Sequence, residues 1–517
     1  MTETLLDRPL FPPALLAAAR AAGVLAHDPD DAAAPEAARL AALAREYDRP
    51  WLAATLAAYQ TRIGADATAV AAAERLADAR CTVVVTGQQA GLWSGPLYTI
   101  YKIIGAIRQA QALETASGEP VVPIFWNATE DHDLSEIATA AWPERQWQAA
   151  FSARGQAASA LPLAPAAEAV QAMLAALPAE ADAAAIAALL APTGADYGEY
   201  SSAVIARLFA GTGLVVLEPR LLRARQGDLF ARALTERAAI AAGLAAGEVR
   251  LTAAGIDVSF PAGDGTGVWR LDATGRRSQV FARDGGLWLD GKRQDLESLL
   301  QAATAAPETF STGAFLRPIW QGHTLPVAAY IAGPGELRYH LQLTDVFSHF
   351  DVPMPLLLPR PQATILPARE QRMATQLGVE GDGIFRPARD FRNQRGLPLA
   401  VDAAFAHARN QLSLAEDQLA AAIADVLPPE TAGAAIHRQV RELERLQART
   451  LREYRRKHGV DNGRVDRLFA VLQPQGQPQE RVLNITYLLA RCGPDLIPQL
   501  LATLDPAERR HHLIFTD

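Results

Sequence analysis

Four consecutive side chains, Glu130, Asp131, His132 and Asp133, form a polar run directly after an apolar stretch of the chain. A histidine beside a carboxylate can act as a general base, and an amine nucleophile needs such a base to remove its proton. If the extended backbone persists, Glu130 and His132 face one side of it, and Asp131 and Asp133 face the other. The run therefore predicts proton transfer.

Two other uses of this run stay open. A metal ion could bind here, but one local cluster without a distant Cys or His ligand is weak support for zinc, and we expect no metal site. An aspartate commonly caps a helix, so Asp131 or Asp133 could cap the next one.

A glycine-rich loop leads from an earlier apolar run into a helix. Gly87, Gly91 and Gly95 leave this loop with little side-chain bulk, and Ser94 with Pro96 resembles a helix start with a capping hydroxyl. A helix N-terminus reached in this way can bind an anion. The spacing matches neither the P-loop nor the dinucleotide fingerprint, so the loop predicts phosphate or carboxylate binding without indicating a nucleotide.

The helix after this loop has an apolar stripe and a polar face. Tyr98 and Lys102 share the polar face, four residues apart. Lys102 could hold an anionic substrate group or charge that develops in a transition state; the alternative is a solvated surface lysine. The residues predicted to form the buried stripe are Leu97, Ile100, Tyr101, Ile104 and Ile107.

A third polar cluster, Gly333 to Glu336, follows another apolar run. Its Gly-Pro-Gly turn permits close approach of a ligand, and Glu336 at a helix start could also complement the helix dipole. A lone histidine such as His323 is more often structural. The upstream side chains that could line the same cleft are Arg317, Trp320, Gln321 and His323.

The three polar clusters can meet in one cleft only if the strands that precede them end at the same edge of a sheet. Five continuous apolar runs are typical of parallel strands covered on both faces, and helices predicted at 97–115, 200–210, 221–244 and 336–348 lie between several of them. We therefore predict an α/β fold with a Rossmann-like, doubly wound parallel sheet. The predicted strands are residues 82–86, 121–126, 214–218, 327–332 and 355–359.

The remaining segments predict additions to this core. Residues 13–79 suit two or three outer helices, broken near Asp28–Pro35 and at Gly64. The predicted domains are a core at 1–375, a helical coiled-coil arm at 376–462 and C-terminal helices at 463–517 that return to the core. Two insertions interrupt the core: a helical one at about 150–200 and a small antiparallel β insertion at 248–292.

The arm is predicted as a helical hairpin with its turn at Pro428 and Pro429. Its long helix, 434–459, carries an imperfect heptad seam, which Gln447 and Thr450 interrupt. Dimerisation through this seam is one interpretation, and a solvated charged helix is the other. The predicted seam residues are Ile436, Val440, Leu443, Leu446, Leu451 and Tyr454.

Composition narrows the class of protein. The 517 residues carry a formal net charge of −8, and the arm has no aromatic stacking module beside its arginines, so we expect no nucleic-acid partner. No apolar stretch predicts a membrane span, and the N-terminus does not resemble a signal peptide. Cys81 and Cys492 match no metal or redox spacing. A cytoplasmic enzyme or binding protein is expected.

Four stretches carry a family resemblance, in the family's order: TGQQAGLWSGPLYTIYKI, PVVPIFWNATEDHD, FLRPIWQGHTLPVAAYIAGPGELRYHLQL with VPMPLLLPR, and PQERVLNITYLL. Together they resemble the BshC family of bacillithiol biosynthesis. The resemblance spans essentially the whole chain and is strongest at 83–134 and 315–360. The chain has Ala90 where the family often has proline, and Ala128 and Thr129 before the acidic run; the polar positions are intact.

This resemblance implies a Rossmann-like core related in shape to nucleotidylyltransferases and class I synthetases, with a coiled-coil domain that forms a homodimer. It implies an amide-forming ligase that joins L-cysteine to glucosaminyl-malate, an amino-sugar malate conjugate, in the last step of bacillithiol biosynthesis. Family members can also hold an adenine nucleotide at a separate site. ATP or ADP could therefore bind, at a place that the residues do not indicate.

The cleft residues are then expected to divide into two groups. His132 would deprotonate the sugar amine, Glu130 or Asp131 would hold amine or hydroxyl groups, and Lys102 with the glycine loop would bind an anionic group. The residues expected to bind substrate are Thr86, Gly87, Gln88, Gln89, Ser94, Gly95, Tyr98, Trp126, Asn127, Asp133, Gly333, Gly335 and Glu336.

Two other functions stay open. A nucleotidylyltransferase or synthetase-like enzyme that activates a small carboxylic acid with ATP would share the fold, but the chain lacks the usual His-x-Gly-His signature near residue 95. A non-catalytic coiled-coil scaffold would explain the arm, but it would not explain three polar clusters at strand ends.

Overall fold

The computed structural model describes residues 1–8, 13–152, 155–260, 263–392, 397–428, 430–458 and 462–516. The chain divides into two units, Met1–Ala368 with Gln477–Asp517, and Arg369–Gly476. The predicted domain boundaries at 375 and 462 stay a prediction.

The described strands are β1 (Thr2–Leu6), β2 (Thr82–Gln89), β3 (Val121–Ala128), β4 (Thr139–Trp142), β5 (Arg145–Gln148), β6 (Val215–Leu217), β7 (Gly265–Leu271), β8 (Arg277–Arg283), β9 (Gly286–Leu289), β10 (Lys292–Gln294), β11 (Phe310–Thr312), β12 (Val327–Ala332), β13 (Leu356–Pro359), β14 (Ala363–Leu366) and β15 (His511–Phe515). The described α-helices are α1 (Pro13–Ala21), α2 (Ala34–Leu43), α3 (Arg49–Arg62), α4 (Ala67–Glu74), α5 (Leu97–Ser117), α6 (Leu134–Ile137), α7 (Ala164–Leu174), α8 (Ala183–Leu189), α9 (Tyr197–Leu208), α10 (Gly227–Thr235), α11 (Arg237–Ala253), α12 (Leu296–Ala305), α13 (Arg317–Thr324), α14 (Pro334–Gln342), α15 (Thr344–His349), α16 (Ala368–Leu377), α17 (Leu399–Ile423), α18 (Glu430–His458), α19 (Asn462–Leu472), α20 (Gln479–Val482), α21 (Ile485–Cys492) and α22 (Leu496–Thr503).

Five parallel strands form the central sheet, in the order β13-β12-β2-β3-β6. They are the five strands predicted from the continuous apolar runs, and the predicted Rossmann-like fold class is confirmed. Side chains alternate between two buried faces: Val84 packs in a cluster with α2 and α5, while Val83 and Val85 join the larger cluster that contains α3. Burial on both faces explains why these strands lack polar alternation.

The strand order determines where the polar clusters meet. β2 lies between β12 and β3, so the three clusters follow three adjacent strands. The chain moves from β2 to β3 and β6 on one side, and β12 and β13 are added on the other. The boundary between β2 and β12 is thus the topological switch point of the sheet, where such folds bind ligands.

Several peripheral elements differ from the prediction. Four helices, α1 to α4, replace the two or three expected before β2, because the chain also breaks ahead of Asp48, which caps α3 through Trp51 N–H (3.3 Å). The helix predicted at 221–244 is divided at Glu236 and then continues to Ala253. The antiparallel sheet of the β insertion therefore begins only at Gly265, in the order β10-β9-β8-β7-β11.

Two small sheets were not predicted. β4 and β5 form a hairpin at 139–148, before the helical insertion, and β1, β15 and β14 form a three-stranded sheet. Residues 511–515 therefore form a strand, although helices were predicted for the C-terminal segment. This strand pairs with both Thr2–Leu6 and Ala363–Leu366, and such distant pairing leaves no local signal in the sequence.

In the second unit, α17 and α18 pack along each other. Gln447 and Thr450 do not interrupt the seam but lie on it, since Gln447 bonds to Arg409 (3.0 Å) and Asp402 (2.9 Å) of α17. Leu446, predicted on the seam, is 54% exposed. Pro429 and Gly459 lie outside the described residues. The buried and half-buried positions of α18 include Ile436, Val440, Leu443, Gln447, Thr450, Leu451 and Tyr454.

The C-terminal segment clasps the first unit at two places. Gln479 bonds to both the N–H (2.8 Å) and the carbonyl (2.9 Å) of Ile365, which joins the points where the chain leaves and re-enters this unit. Asn484 Nδ2 donates to the carbonyls of Leu92 (3.1 Å), Trp93 (3.1 Å) and Gly95 (2.7 Å). These bonds secure the loop after β2.

The loop after β2 has an unfavourable backbone conformation at two residues. Trp93 and Ser94 have φ values of 52° and 80°, a region that non-glycine residues seldom adopt, and both side chains are buried. Ser94 does not cap α5, because Pro96 is the N-cap and the Ser94 hydroxyl has no hydrogen-bond partner in the described ranges. The surrounding bonds, above all those of Asn484, must hold this strained backbone in place.

We predict that Asn484→Asp destabilises the protein by about 3 kcal/mol, because the loop carbonyls lose their buried donor and face a carboxylate instead. Urea unfolding of the full chain measures the change. Asn410→Asp, at an exposed position of α17, is the matched control. Equal unfolding midpoints for the two variants would show that the Asn484 bonds contribute nothing.

Candidate functional site

A cavity of about 350 Å³ opens at the carboxyl ends of β2 and β12, at the switch point of the sheet. Glycines at both strand ends leave room beside the backbone. We call it the larger cavity, because a smaller one adjoins it. The residues that line the larger cavity are Gly87, Gln88, Gln89, Tyr98, Lys102, Asp131, Ala314, Arg317, Gly333, Pro334, Gly335, Glu336, Arg360 and Arg481.

Lys102 forms a buried ion pair at this cavity, with 2.6 Å between its Nζ and Glu336 Oε2. Lys102 is 1% exposed, so the alternative of a solvated surface lysine is wrong. Its ammonium also donates to the carbonyl of Gly87 and to Gln88 Oε1 (3.2 Å). Because an ammonium group has three hydrogens, its donor capacity is fully used within the protein. Lys102 thus joins α5 to the end of β2 and to α14.

Both carboxylate oxygens of Glu336 also have partners within the protein. It accepts hydrogen bonds from the Tyr330 hydroxyl (2.8 Å) and the Gly333 N–H (2.8 Å). Burial alone would raise the pKa of Glu336, but the charge of Lys102 and the Gly333 N–H hold it below its usual value. The carboxylate therefore stays ionised at neutral pH.

Three arginines add positive charge to the larger cavity. Arg360 is paired with Glu480 through two bonds of 2.9 and 2.6 Å, and Arg481 is exposed. Arg317 donates to the Tyr339 hydroxyl (2.9 Å), and no carboxylate of the described residues lies within 4.0 Å of its guanidinium. The cavity therefore favours an anionic ligand, with Arg317 left to pair with it.

A smaller cavity of about 190 Å³ adjoins the first. Asp131, Ala314 and Arg317 line both cavities, so they form a shared wall. The residues that line the smaller cavity are Trp126, Ala128, Glu130, Asp131, His132, Pro219, Trp269, Arg277, Thr312, Gly313, Ala314 and Arg317.

His132 lies in the smaller cavity against the Trp269 ring, with 5.5 Å between the ring centroids. Within the described part of the chain, its buried Nδ1 has no hydrogen-bond partner and no carboxylate bonds to the imidazole. Burial, assisted by the positive charge of Arg277, lowers the pKa of His132 below its ordinary value. The ring is therefore neutral at pH 7 and able to accept a proton.

Asp131 organises the backbone of the acidic run. Its Oδ1 accepts from the N–H groups of His132 (2.7 Å) and Asp133 (3.2 Å), and its Oδ2 accepts from Gln89 Nε2 (3.0 Å). Burial would raise the pKa of Asp131, but these hydrogen bonds keep it below its usual value. Asp131 therefore remains a carboxylate at the shared wall and links the ends of β2 and β3.

The strand geometry assumed for the acidic run is wrong, because β3 ends at Ala128 and the chain then turns. Glu130 is buried in a pair with Arg223 (2.5 Å) and accepts from Ser311 (2.8 Å). Asp133 caps α6 through the Ser135 N–H (3.0 Å), as the capping alternative expected. Glu130, Asp131 and His132 nevertheless line one cavity.

Several expected binding residues lie outside both linings. Thr86 donates to the Ile331 carbonyl (2.9 Å) inside the sheet, and Asn127 donates to Ser202 (2.9 Å) in the core. The first N–H of α5 donates to the Leu483 carbonyl (2.9 Å), so the C-terminal segment occupies the helix start that was predicted to bind an anion. The expected site residues found in neither lining are Thr86, Ser94, Gly95, Asn127 and Asp133.

Sequence reasoning did not select several lining residues. Trp269 and Arg277 come from the β insertion, which was interpreted only as an interruption of the core. Arg360 and Arg481 lie within stretches that carry the family resemblance, which was the one signal that could have indicated them. Of the upstream residues, Arg317 lines the cavities, whereas Trp320 packs on Trp126 in the core (5.3 Å between centroids).

The described residues provide neither a candidate metal site nor a candidate membrane-spanning helix. These residues contain no group of three or more His, Cys, Asp or Glu side chains that could hold a metal ion. No described helix is long and apolar enough to cross a membrane.

Two family profiles match this chain. "Bacillithiol biosynthesis BshC, N-terminal Rossmann-like domain" matches residues 27–361, and "Bacillithiol biosynthesis BshC, C-terminal coiled-coil domain" matches residues 363–516. Together they cover most of the sequence and agree with the parallel sheet and the long helices.

Similar proteins share this length. The chain is 33% identical over 502 residues to a protein of Geobacillus kaustophilus (91% of each chain), and 32% identical over 489 residues to one of Symbiobacterium thermophilum (88% of this chain, 87% of the relative). A protein of Salinibacter ruber is 30% identical over 506 residues (93% and 91%). Each bears the name "Putative cysteine ligase BshC". With this sheet, these cavities and these relatives, the chain belongs to the BshC family and is a ligase.

Proposed function

We propose that this enzyme joins L-cysteine to glucosaminyl-malate through an amide bond, in the last step of bacillithiol biosynthesis. The observation that carries the proposal is the placement of a neutral imidazole, His132, beside a wall shared by two cavities, one of which is rich in positive charge. Amide formation needs such an arrangement, because two substrates must meet next to a base.

Amide formation requires an activated acyl group. A free carboxylate is a poor acyl donor, so the cysteine carboxyl must first carry a leaving group, such as phosphate or a nucleotide. The sugar amine then attacks the acyl carbon, the new C–N bond forms, and the bond to the leaving group breaks. His132 takes the proton that the amine loses. ATP is the proposed source of the activating group: a cysteine carboxylate oxygen would bond to a phosphorus atom of ATP, and ADP or pyrophosphate would leave as the phosphoanhydride bond breaks.

The larger cavity is proposed to bind the anionic malate portion of the conjugate. Arg317 would pair directly with a carboxylate, and Lys102 would act mainly by holding the cavity in shape, since its three hydrogens already have acceptors. Gln88, Tyr98 and the turn beginning at Gly333 offer polar contacts and space around the sugar.

The biological setting belongs to the same proposal. We place the enzyme in the cytoplasm, as a homodimer that pairs through the coiled coil of α17 and α18. Exposed leucines on these helices, such as Leu414 (53%) and Leu446 (54%), would be covered by that pairing.

The proposed reaction is tested by incubating the purified protein with L-cysteine and glucosaminyl-malate, with and without ATP. Mass spectrometry should detect the cysteinylated conjugate only when ATP is present, because a free carboxylate does not acylate an amine at a useful rate. A His132→Ala variant should form product at least about a hundredfold more slowly. Absence of product from the wild type would refute the ligase assignment.

The pH dependence should report on His132. The rate should be level above about pH 7 and should fall with a midpoint below 6.5, because only the neutral imidazole accepts a proton and its pKa is lowered. Arg277→Gln should move this midpoint to higher pH, since a nearby positive charge is removed. Arg276→Gln, at an exposed neighbouring position, is the control. If the Arg277 and Arg276 variants show the same midpoint, His132 is not the titrating base.

Lys102→Met should lower the stability of the protein by about 3–5 kcal/mol, because Glu336 is left buried without its partner. Adding Glu336→Gln should restore most of that loss but not the ligation rate, if the pair shapes the larger cavity. Chemical unfolding and the ligation assay measure both effects, with exposed Lys292→Met as the control. Full activity in the double variant would exclude the pair from the catalytic site.

A further inference from the structure

The smaller cavity differs in chemistry from the larger one. Its walls combine two tryptophan rings, Trp126 and Trp269, with the carboxylates of Glu130 and Asp131 and with two cations, Arg277 and the shared Arg317. At about 190 Å³ it lies below the range of roughly 300–1,000 Å³ for pockets that hold drug-sized ligands. A small ligand that carries both charges fits this combination better than a sugar conjugate.

Arg277 is the strongest indication of a ligand. Its Nη2 donates to Ser311 Oγ (3.1 Å) and to the Thr312 carbonyl (2.9 Å), but its buried Nε has no hydrogen-bond partner among the residues that the structure describes. No described carboxylate forms an ion pair with this guanidinium within 4.0 Å, and the charges of Glu130 and Asp131 only partly offset the burial that lowers the pKa of Arg277. A mostly buried arginine without a direct counter-ion is costly, so an anionic ligand group would relieve that cost.

Asp131 supplies the opposite charge. Its ionised carboxylate lies on the shared wall, and Gln89 Nε2 is its one side-chain donor among the described residues, at Oδ2. An ammonium group could be added there, because a carboxylate oxygen accepts more than one hydrogen bond. Glu130, in contrast, is already engaged by Arg223 and Ser311.

We propose that the smaller cavity is the amino-acid subsite of this enzyme. It would hold the zwitterion of L-cysteine, with its carboxylate on Arg277, its ammonium on Asp131 and its thiol beside Trp269. The proposal rests on the ligase function and deepens it. The β insertion, which supplies Trp269 from β7 and Arg277 from β8, then forms one substrate's binding wall.

This assignment explains the position of His132. The imidazole lines only the smaller cavity, close to the wall that the two cavities share. An amine that enters from the larger cavity would cross this wall to reach the cysteine acyl group, and it would find the base on the far side. The two substrates would therefore approach each other from opposite cavities.

The test separates the two subsites by steady-state kinetics on the full chain, with each substrate varied while the other is saturating. Arg277→Gln should raise the KM for L-cysteine about tenfold or more and leave the KM for glucosaminyl-malate within about twofold. Arg481→Gln, which changes the larger cavity alone, should show the reverse pattern. Equal effects on both KM values, or no effect of Arg277→Gln on the cysteine KM, would overturn the proposal.

Binding measured without turnover keeps this test independent of the reaction. Calorimetry with L-cysteine, in the presence of glucosaminyl-malate and without ATP, should show at least about tenfold weaker binding to Arg277→Gln than to the wild type, and Arg277→Lys should recover part of it. Thermal unfolding checks that each variant folds. Failure to form product refutes the ligase function, whereas absence of Arg277-dependent cysteine binding refutes the subsite.

Discussion

The ion pair between Lys102 and Glu336 is the interaction on which the organisation of the site depends. It lies where the connections of the sheet reverse direction, and it joins the helix after β2 to the helix after β12. Taking two charges out of water costs several kcal/mol, so the pair is retained only with near-complete hydrogen bonding. Gly87, Gln88, Tyr330 and Gly333 provide it. These bonds connect the backbone at the ends of β2 and β12 beside the larger cavity.

The site is assembled from segments that are far apart in the sequence. The ends of β2, β3 and β12 provide the sheet edge, the β insertion provides an aromatic and cationic wall, and the C-terminal segment provides Arg481 and the support of Arg360 by Glu480. Asn484 from the same segment holds the strained loop after β2. Loss of any one segment would therefore leave the cavities incomplete.

The features that could be predicted are those that leave a pattern in one short stretch of sequence. The five core strands could be predicted because a strand buried on both faces is continuously apolar, and the buried stripe of α5 followed from helical periodicity. The burial of Lys102 could not be predicted, since its partner Glu336 is distant in sequence. The same limit applied to Arg277, because an arginine in a β meander is usually solvated, and to Ser94, because the first N–H of α5 donates instead to the carbonyl of Leu483, which is distant in sequence.

The clasp between Gln479 and Ile365 has an evolutionary consequence. Because the chain leaves and re-enters the first unit at one hydrogen-bonded point, residues 369–476 are a single excursion from an otherwise closed fold. The entropy of closing such an excursion rises only slowly with its length. Lengthening, shortening or replacing these helices should thus be tolerated by the sheet and its cavities, which leaves the helical excursion free to diverge while the ligand-binding edge is constrained.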